Sequence, residues 1–327
     1  MPQVIAIGEA LVEIMRPDKR TPLDHTGVFE GPFASGAPAI FAVAAARLGL
    51  DVGFIGTVGK DSFGRLVAKR LEGENVGTDC LHEIPDLTTG IAFIAYTAAG
   101  EREFVFHLRH SAAARLSAEQ LTVHYFADVS WLHISGSALF LSEMSREACA
   151  RALELTKKAG GKLSLDPNLR PELMGLDKAR NVLAPFLESA DLLLPTAEEA
   201  RVLTRIYEDN AAAAAIMRKP NQIVVFKRGA EGASVFARDG RFDISGYTVP
   251  EVDPTGAGDC FNAAFIYGLQ AGWPNAQTGQ FACAAGALAV TRQGPMEGAP
   301  SLQEVNNLIT TTNLSSNYPA DSVLDVD

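Results

Sequence analysis

An α/β fold with a mostly parallel central sheet flanked by helices is the class this sequence predicts, on two observations. Runs with strand character alternate with runs of helical periodicity from one end of the chain to the other. The strand runs are also near-continuously apolar, as at residues 4–8 and 223–227, which marks strands buried on both faces. No internal repeat and no linker breaks the alternation, so residues 1–310 read as one domain.

Taken in order, residues 4–8 form the first buried strand, and the segment Gly8 to Ile14 closes it. Residues 28–34 are short and turn-rich. A helix over 38–48 is closed by Gly49, followed by a strand at 52–56 and a helix at 62–71. Residues 91–108 read as a hairpin with arms at 91–96 and 103–108 and a turn at Ala99-Gly100. Along its second arm Phe104, Phe106 and Leu108 alternate with Val105, His107 and Arg109, so one face is apolar and the other mixed. Strands follow at 131–135, 163–166, 192–194 and 223–227, with helices at 142–159, 198–203 and 211–217 between them. A strand-like run at 247–249 leads to a helix from Cys260, where Phe261, Phe265 and Gly268 keep helical spacing. The helix over 275–292 is dense in Ala and Gly. From Thr311 the chain turns polar and then acidic, with too little apolar surface to offset chain entropy, so residues 311–327 read as a mobile tail.

The 327 residues are 47% hydrophobic and 20% charged, a globular composition with room for a full core. The formal charge of -11 argues against a nucleic-acid partner, because a phosphate backbone needs a basic face. There is no basic amphipathic run for a membrane surface, and no apolar run approaches the ~20 residues of a membrane span. Met1-Pro2-Gln3 enters a strand directly, without a basic and apolar leader. Cys80, Cys149, Cys260 and Cys283 lie far apart with no Cys-x-x-Cys, which supports neither a disulfide framework nor a zinc site. A cytoplasmic protein with buried thiols is the expectation.

The stretch richest in chemistry is Asp253-Pro254-Thr255-Gly256-Ala257-Gly258-Asp259. Gly256, Ala257 and Gly258 put almost no side chain between backbone N–H groups and an anion. Those groups open a helix, and a helix N-terminus attracts phosphate. Asp259, in the first turn, is placed to act as a base beside that charge. Oxyanion donors next to a carboxylate are what moving a phosphoryl group onto a hydroxyl requires. The competing reading is an acid capping a helix after a Gly-rich turn. No Gly-x4-Gly-Lys-Ser/Thr pattern occurs, so a P-loop is not the phosphate device.

Asp-x-Thr-Gly-Ala-Gly-Asp before a small apolar helix resembles the signature of the ribokinase-like (PfkB) carbohydrate kinases, and similar segments cover about nine-tenths of the chain. The resemblance implies a ribokinase-like fold, ATP as phosphoryl donor, Asp259 as general base and Gly256, Ala257 and Gly258 as the anion hole. It also implies a small β-lid over the sugar, from about residues 10–34 and 90–109, that offers a homodimer contact; an ordinary surface hairpin is the alternative. Thr196-Ala197-Glu198-Glu199 is similar to the family's Asn-x-x-Glu segment, with Thr196 in place of Asn. Glu199 would then position Mg2+ through its outer shell of water, or else be an acid favoured by a helix start. Lys227-Arg228-Gly229-Ala230-Glu231-Gly232 resembles a turn lying against nucleotide phosphates and ribose, with Lys227 as positive charge and Gly229 and Gly232 as the bends; otherwise it is only a turn. Asp166-Pro167-Asn168-Leu169-Arg170-Pro171 resembles a segment at a strand's C-terminal end, from which Asn168 and Arg170 reach the nucleotide cleft. A structural Asn in an Asp-Pro turn competes for Asn168. Ala289-Val290-Thr291-Arg292-Gln293-Gly294 is similar to a loop that binds a monovalent cation, here K+, through Ala289, Arg292 and Gly294 together with Asp253 and Thr255.

On the substrate side the resemblance gives Glu13 to sugar hydroxyls, since a carboxylate accepts two hydrogen bonds from a diol. Ser35-Gly36-Ala37-Pro38-Ala39-Ile40 is similar to the family's Gly-Gly-Ala-Pro-Ala-Asn, where Gly36 and Ala37 let hydroxyls meet backbone amides; Ser35 and Ile40 depart from it. Phe106-His107-Leu108-Arg109-His110-Ser111-Ala112 stands where 2-keto-3-deoxygluconate kinases carry an Arg for an anionic substrate, while Ile40-Phe41 and His110-Ser111 match the tagatose-kinase-like branch better. Arg109 is expected to reach the sugar, and the acceptor is a ketohexose or a keto sugar acid. A nucleoside kinase of the same fold and a degenerate sugar-binding regulator are the other readings.

Overall fold

The structure, a computed structural model, describes residues 1–17, 21–96 and 102–316. Its N-terminal part runs β1 Val4–Ile7, β2 Leu11–Met15, β3 Glu30–Ser35, α1 Ala37–Arg47, β4 Val52–Gly59, α2 Ser62–Gly73, β5 Gly77–Ile84, β6 Gly90–Tyr96 and β7 Arg102–His107. Next come β8 Trp131–Ser135, α3 Gly136–Leu141, α4 Glu143–Lys158, β9 Lys162–Asp166, α5 Leu176–Ser189, β10 Leu192–Leu193 and α6 Ala197–Thr204. Last are α7 Asp209–Ile216, β11 Ile223–Lys227, β12 Gly232–Ala237, β13 Gly240–Ser245, α8 Ala257–Gln270, α9 Asn275–Ala289 and α10 Leu302–Ser316.

Nine strands form the main sheet in the order β13-β12-β11-β10-β9-β8-β1-β4-β5. Every neighbouring pair from β11 to β5 is parallel, and β12 and β13 extend the sheet antiparallel. Successive residues of β1 enter opposite layers: Ile5 and Ile7 pack in one core with Leu155 and Leu183, Val4 and Ala6 in the other with Phe41 and Phe265. This two-sided burial is why the strands read as unbroken apolar runs. The strand order reverses at β1, between β4 and β8, and open α/β sheets leave a crevice beyond the strand ends at such a point. The residues that follow β1, β8 and β9 open onto it.

A second, four-stranded sheet has the order β3-β2-β6-β7. It collects segments the sequence reading treated separately: residues 11–15 are a strand of their own rather than the end of β1, and the turn-rich 28–34 contains β3. Ala99-Gly100, expected as the hairpin turn, lies outside the described residues.

Other departures have physical reasons. The turn at Gly229 to Gly232 leads into a β12–β13 hairpin that was not foreseen, although Asp239-Gly240 is a hairpin signal. Residues 247–249 are not a strand, because β13 already ends the sheet and leaves them no partner. The chain does not leave the fold at 311: α10 continues to Ser316. Val305 is buried there, and Thr310, Thr311 and Thr312 donate to the carbonyls of Asn306, Asn307 and Leu308, so hydroxyls that looked like tail serve the helix. Residues 317–327 lie outside the described part.

Candidate active site

The first turn of α8 carries the signature. Gly256 caps it at φ 82, in the left-handed region, and a Cβ there would stand 2.4 Å from the Pro295 carbonyl oxygen, so only glycine fits. Ala257, Gly258 and Asp259 are the first three helical residues, so their N–H groups are among those a helix leaves without internal partners. Asp259 is buried. Burial, then the charge of Asp166, pushes its carboxyl up to about 8, with Lys227 and Arg170 pulling the other way. A carboxyl tuned to that range exchanges a proton near neutral pH, as a general base must.

Around Asp259 a pocket is lined by Gly256, Thr255, Glu13, Gly36, Ala37, Asn168 and Arg170, and by Glu9 and Ser137. The four-stranded sheet roofs it: Phe104, Phe106 and Leu108 of the β7 arm and its exit face the pocket, while Glu103, Val105 and His107 are exposed. Glu13 is buried and accepts from the Ser35 hydroxyl at 2.7 Å, which gives the unexpected Ser35 a function in holding that acid. Gly36 has φ 112, and a Cβ there would meet the Glu9 carbonyl at 2.4 Å, so α1 starts directly against the backbone beneath the pocket.

Two arginines depart from the places expected of them. Arg109 shares the mixed face of its arm, but that face looks away from the pocket, and its guanidinium donates to the Leu173 carbonyl. Arg170, assigned to the nucleotide, lines the pocket and lies 5.9 Å from the Phe104 ring centre. Arg170 is the cation beside the acids; Arg109 is not.

Beyond the pocket a buried polar cluster joins β9, β11, α6 and α8. Lys227 pairs with Asp166 at 2.6 Å, and Asn262, one turn after Asp259, donates to the same oxygen at 2.6 Å. Burial opposes the Asp166 charge, yet Lys227 holds its carboxyl below the usual range. The Lys227 ammonium also reaches α8, where a Cβ on Gly258 would stand 3.6 Å from it. Glu199 accepts from the backbone N–H groups of Leu169 at 2.7 Å and Thr196 at 2.8 Å, and the Thr196 hydroxyl accepts from the Glu199 N–H, completing a capping box. It is thus a half-buried acid in the first turn of α6 with both oxygens engaged, and burial raises its carboxyl. Asn168 has φ 36, donates to Ser135 at 2.8 Å and also lines the pocket around Asp259. Gly229 and Gly232 have positive φ at the two ends of the turn after β11; at Gly232 a Cβ would meet the Ile244 carbonyl at 2.0 Å. Among the described residues there is no cluster of three or more metal-ligating side chains.

The two segments expected to share a cation do meet. Asp253 accepts from the Gly294 N–H at 2.9 Å through Oδ2, and from the Thr255 N–H at 3.0 Å and the Tyr96 hydroxyl at 2.5 Å through Oδ1. Three of about four lone-pair positions are occupied, which leaves Oδ2 one. Ala289 ends α9 beside this contact, while the Arg292 side chain turns outward to Glu304.

Sequence reasoning missed Glu9, Ser137, Asp166, Asn262 and Tyr96 as site residues. Asn262 was legible from its spacing of three from Asp259 on one helix. Glu9 was passed over for Glu13, and Tyr96 is joined to Asp253 only by the tertiary fold.

A profile of the pfkB family carbohydrate kinases matches residues 1–302. The chain is 32% identical over 317 residues to Fructokinase-1 of Zea mays, across 94% of this chain and 97% of that one. Among solved structures, an E. coli protein named as a ribokinase II, in complex with ATP and Mg2+, matches with a TM-score of 0.89 and 38% identity, over 95% of this chain and all of that one. A fructokinase double mutant from Vibrio cholerae O395, in fructose, ADP and potassium ion bound form, matches with a TM-score of 0.82 and 29% identity, over 94% and 98% of the two chains.

Proposed function

The chain belongs to the pfkB family of carbohydrate kinases, ATP-dependent sugar kinases, and from that premise we propose that it phosphorylates a neutral ketohexose of the fructose or tagatose kind. One observation carries the choice: among the described residues, the charged groups lining the pocket are the acids Glu9, Glu13 and Asp259 and a single guanidinium, Arg170. A substrate carboxylate would add a further acid to that set. A polyol instead supplies hydroxyl donors, and carboxylates are pure acceptors when ionised. The keto sugar acid remains the second reading, favoured by Arg170 alone, since guanidinium suits a carboxylate.

In this reading Asp259 takes the proton of the attacking hydroxyl, and the N–H groups of Ala257 and Gly258 with Lys227 receive the charge of the moving phosphoryl group. Glu13, Gly36 and Ala37 orient the sugar. The start of α8 and the turn at Gly229 and Gly232 would hold ATP. Glu199 would hold Mg2+ through the water the ion retains, using the lone pairs left beyond its backbone bonds. When bound, the ion neutralises phosphate charge. K+ would sit between Asp253, Thr255 and the carbonyls of Ala289, Arg292 and Gly294. The four-stranded sheet acts as lid and dimer contact, and the enzyme works in the cytoplasm, a placement supported by buried cysteines and the absence, among the described residues, of a helix able to cross a membrane.

The test is kcat/KM for fructose, tagatose and 2-keto-3-deoxygluconate in wild type, Arg170→Ala and Arg109→Ala. Wild type is expected to prefer a ketohexose. A preference for the acid that collapses in Arg170→Ala transfers the assignment to the second reading.

A further inference from the structure

Glu9 follows β1 at the point where the strand order reverses, and it is buried in the lining of the pocket. A one-way chain of hydrogen bonds ends on it. The Asn168 amide donates to the Ser135 hydroxyl at 2.8 Å, Ser135 and Ser137 are joined at 2.8 Å, and the Ser137 hydroxyl donates to Glu9 Oε1 at 2.6 Å. Ser137 has one proton and gives it to Glu9, so Ser135 must donate to Ser137. Everything is thus aimed at Oε1, while Oε2 has no hydrogen-bond partner among the described residues.

Three acids beyond the pocket lining give the contrast. Asp166 has Oδ1 on the Asn168 N–H and Oδ2 on Lys227 and Asn262; Asp253 and Glu199 likewise have both oxygens engaged. A carboxyl whose role is to hold the fold ends up satisfied, because a bare buried oxygen is costly. Glu9, in the pocket lining, departs from that pattern.

We propose that Glu9 is a second sugar-binding acid, whose Oε2 accepts a hydrogen bond from a hydroxyl of the acceptor other than the one phosphorylated. This rests on the sugar-kinase reading and deepens it: the pocket then holds the acceptor at Glu9 and Glu13 and deprotonates it at Asp259. Burial pushes the Glu9 carboxyl up to about 7, tempered by Ser137, by nearby backbone N–H groups of Glu9 and Ala37 and by Arg170. A donated sugar hydroxyl would stabilise its charged form.

The experiment compares wild type, Glu9→Gln and Glu9→Ala on the ketose wild type phosphorylates best, and on its monodeoxy analogues, with thermal unfolding as the check on folding. In Glu9→Gln the amide carbonyl can keep the Ser137 bond, leaving an N–H donor where the sugar needs an acceptor. Sugar KM is expected to rise about 10- to 100-fold, the loss of a hydrogen bond to a charged acceptor, with kcat and the ATP KM within about threefold of wild type. One monodeoxy ketose should lose a similar factor with wild type and nothing further with Glu9→Gln. If Glu9→Gln does not fold, the same pairing is read from Glu9→Ala. A sugar KM within about twofold of wild type, parallel losses in sugar and ATP KM, or equal sensitivity of both proteins to every deoxy position overturns the proposal and leaves the kinase reading standing. A wild type that phosphorylates no ketose removes that reading and the proposal with it.

Discussion

At the scale of single residues, Asp259 has its chemistry written in its surroundings. A base must be ionised, so kcat/KM should climb as pH rises from 6 and level off above about 8, the value to which burial and Asp166 push its carboxyl. Asp259→Asn is nearly isosteric and should lose ~10²–10⁴ in turnover while still binding ATP; retention of a tenth of wild-type turnover would remove the base from Asp259. The same shift predicts a stability effect of definite sign. The folded-state pKa lies above the unfolded value, so the contribution of Asp259 to stability is fully present below about pH 4 and is lost as pH rises through 8. The apo Asp259→Asn protein should therefore melt higher than wild type at pH 9, by roughly 2–6 °C, and the gap should close toward pH 4. Asp259 stood out in the sequence because Asp-x-Thr-Gly-Ala-Gly-Asp resembles the kinase signature, whereas an acid after a Gly-rich turn could by itself be only a helix cap. The arginines were legible only in part. Strand alternation separated Arg109 from Phe104, Phe106 and Leu108, but which face meets the pocket depends on the sheet that carries the strand. Arg170 reaches the pocket because β9 ends at the crevice, which no local pattern announces.

At the scale of elements, the start of α8 makes two glycines of one motif unequal. Gly256 holds φ 82 against a backbone carbonyl; Gly258 has no positive φ, and its nearest neighbour beyond the helix is the Lys227 ammonium at 3.6 Å from an added Cβ. Gly256→Ala should cost ~2–4 kcal/mol, from the left-handed conformation and the displaced Pro295 carbonyl, seen as a lower melting temperature. Gly258→Ala should hold or gain up to ~1 kcal/mol, since alanine favours a helix, yet lose at least about tenfold in turnover by placing a methyl among the phosphate donors. Equal melting temperatures for the two would remove the steric account. The Asp253–Gly294 contact makes the second prediction at this scale. Two loops share one carboxylate with a lone pair to spare, and K+ is expected to raise activity. Equal rates in sodium, potassium and tetramethylammonium buffers would exclude a cation there. Parallel strands and their helices were legible because burial on both faces leaves a simple apolar signal. β12 and β13 were not, because only one long side of the hairpin is buried deeply and its glycines read as turn. The polar end of α10 hid for a related reason: its threonine hydroxyls bond to the helix itself.

At the scale of the whole molecule, the small sheet has two working faces. Its inner face supplies Phe104, Phe106 and Leu108 to the pocket, and Tyr96 ties it to the signature through Asp253. Its outer face exposes Val28 by 72%, Phe29 by 37% and Val105 by 42%, with Phe93 packed edge-on against Phe29. This apolar cluster is held in place from within. The buried Arg16 donates to the carbonyls of Val28, Pro22 and His25 and lies 3.9 Å from the Phe29 ring centre, so the loop before β3 is pinned to β2. Apolar residues fixed on one face of an otherwise acidic protein suit contact with a second copy of the same face, in a twofold arrangement. The chain is accordingly expected to be a dimer at micromolar concentration, and Val105→Glu to make it a monomer by light scattering, because two buried acids would face each other across the axis. Val105 stands between Phe104 and Phe106 on one strand, so release of the outer face should loosen the inner one. Sugar KM should then rise severalfold, with the ATP KM unchanged. A monomeric wild type, or a Val105→Glu variant that stays dimeric, would rule out the lid as the contact.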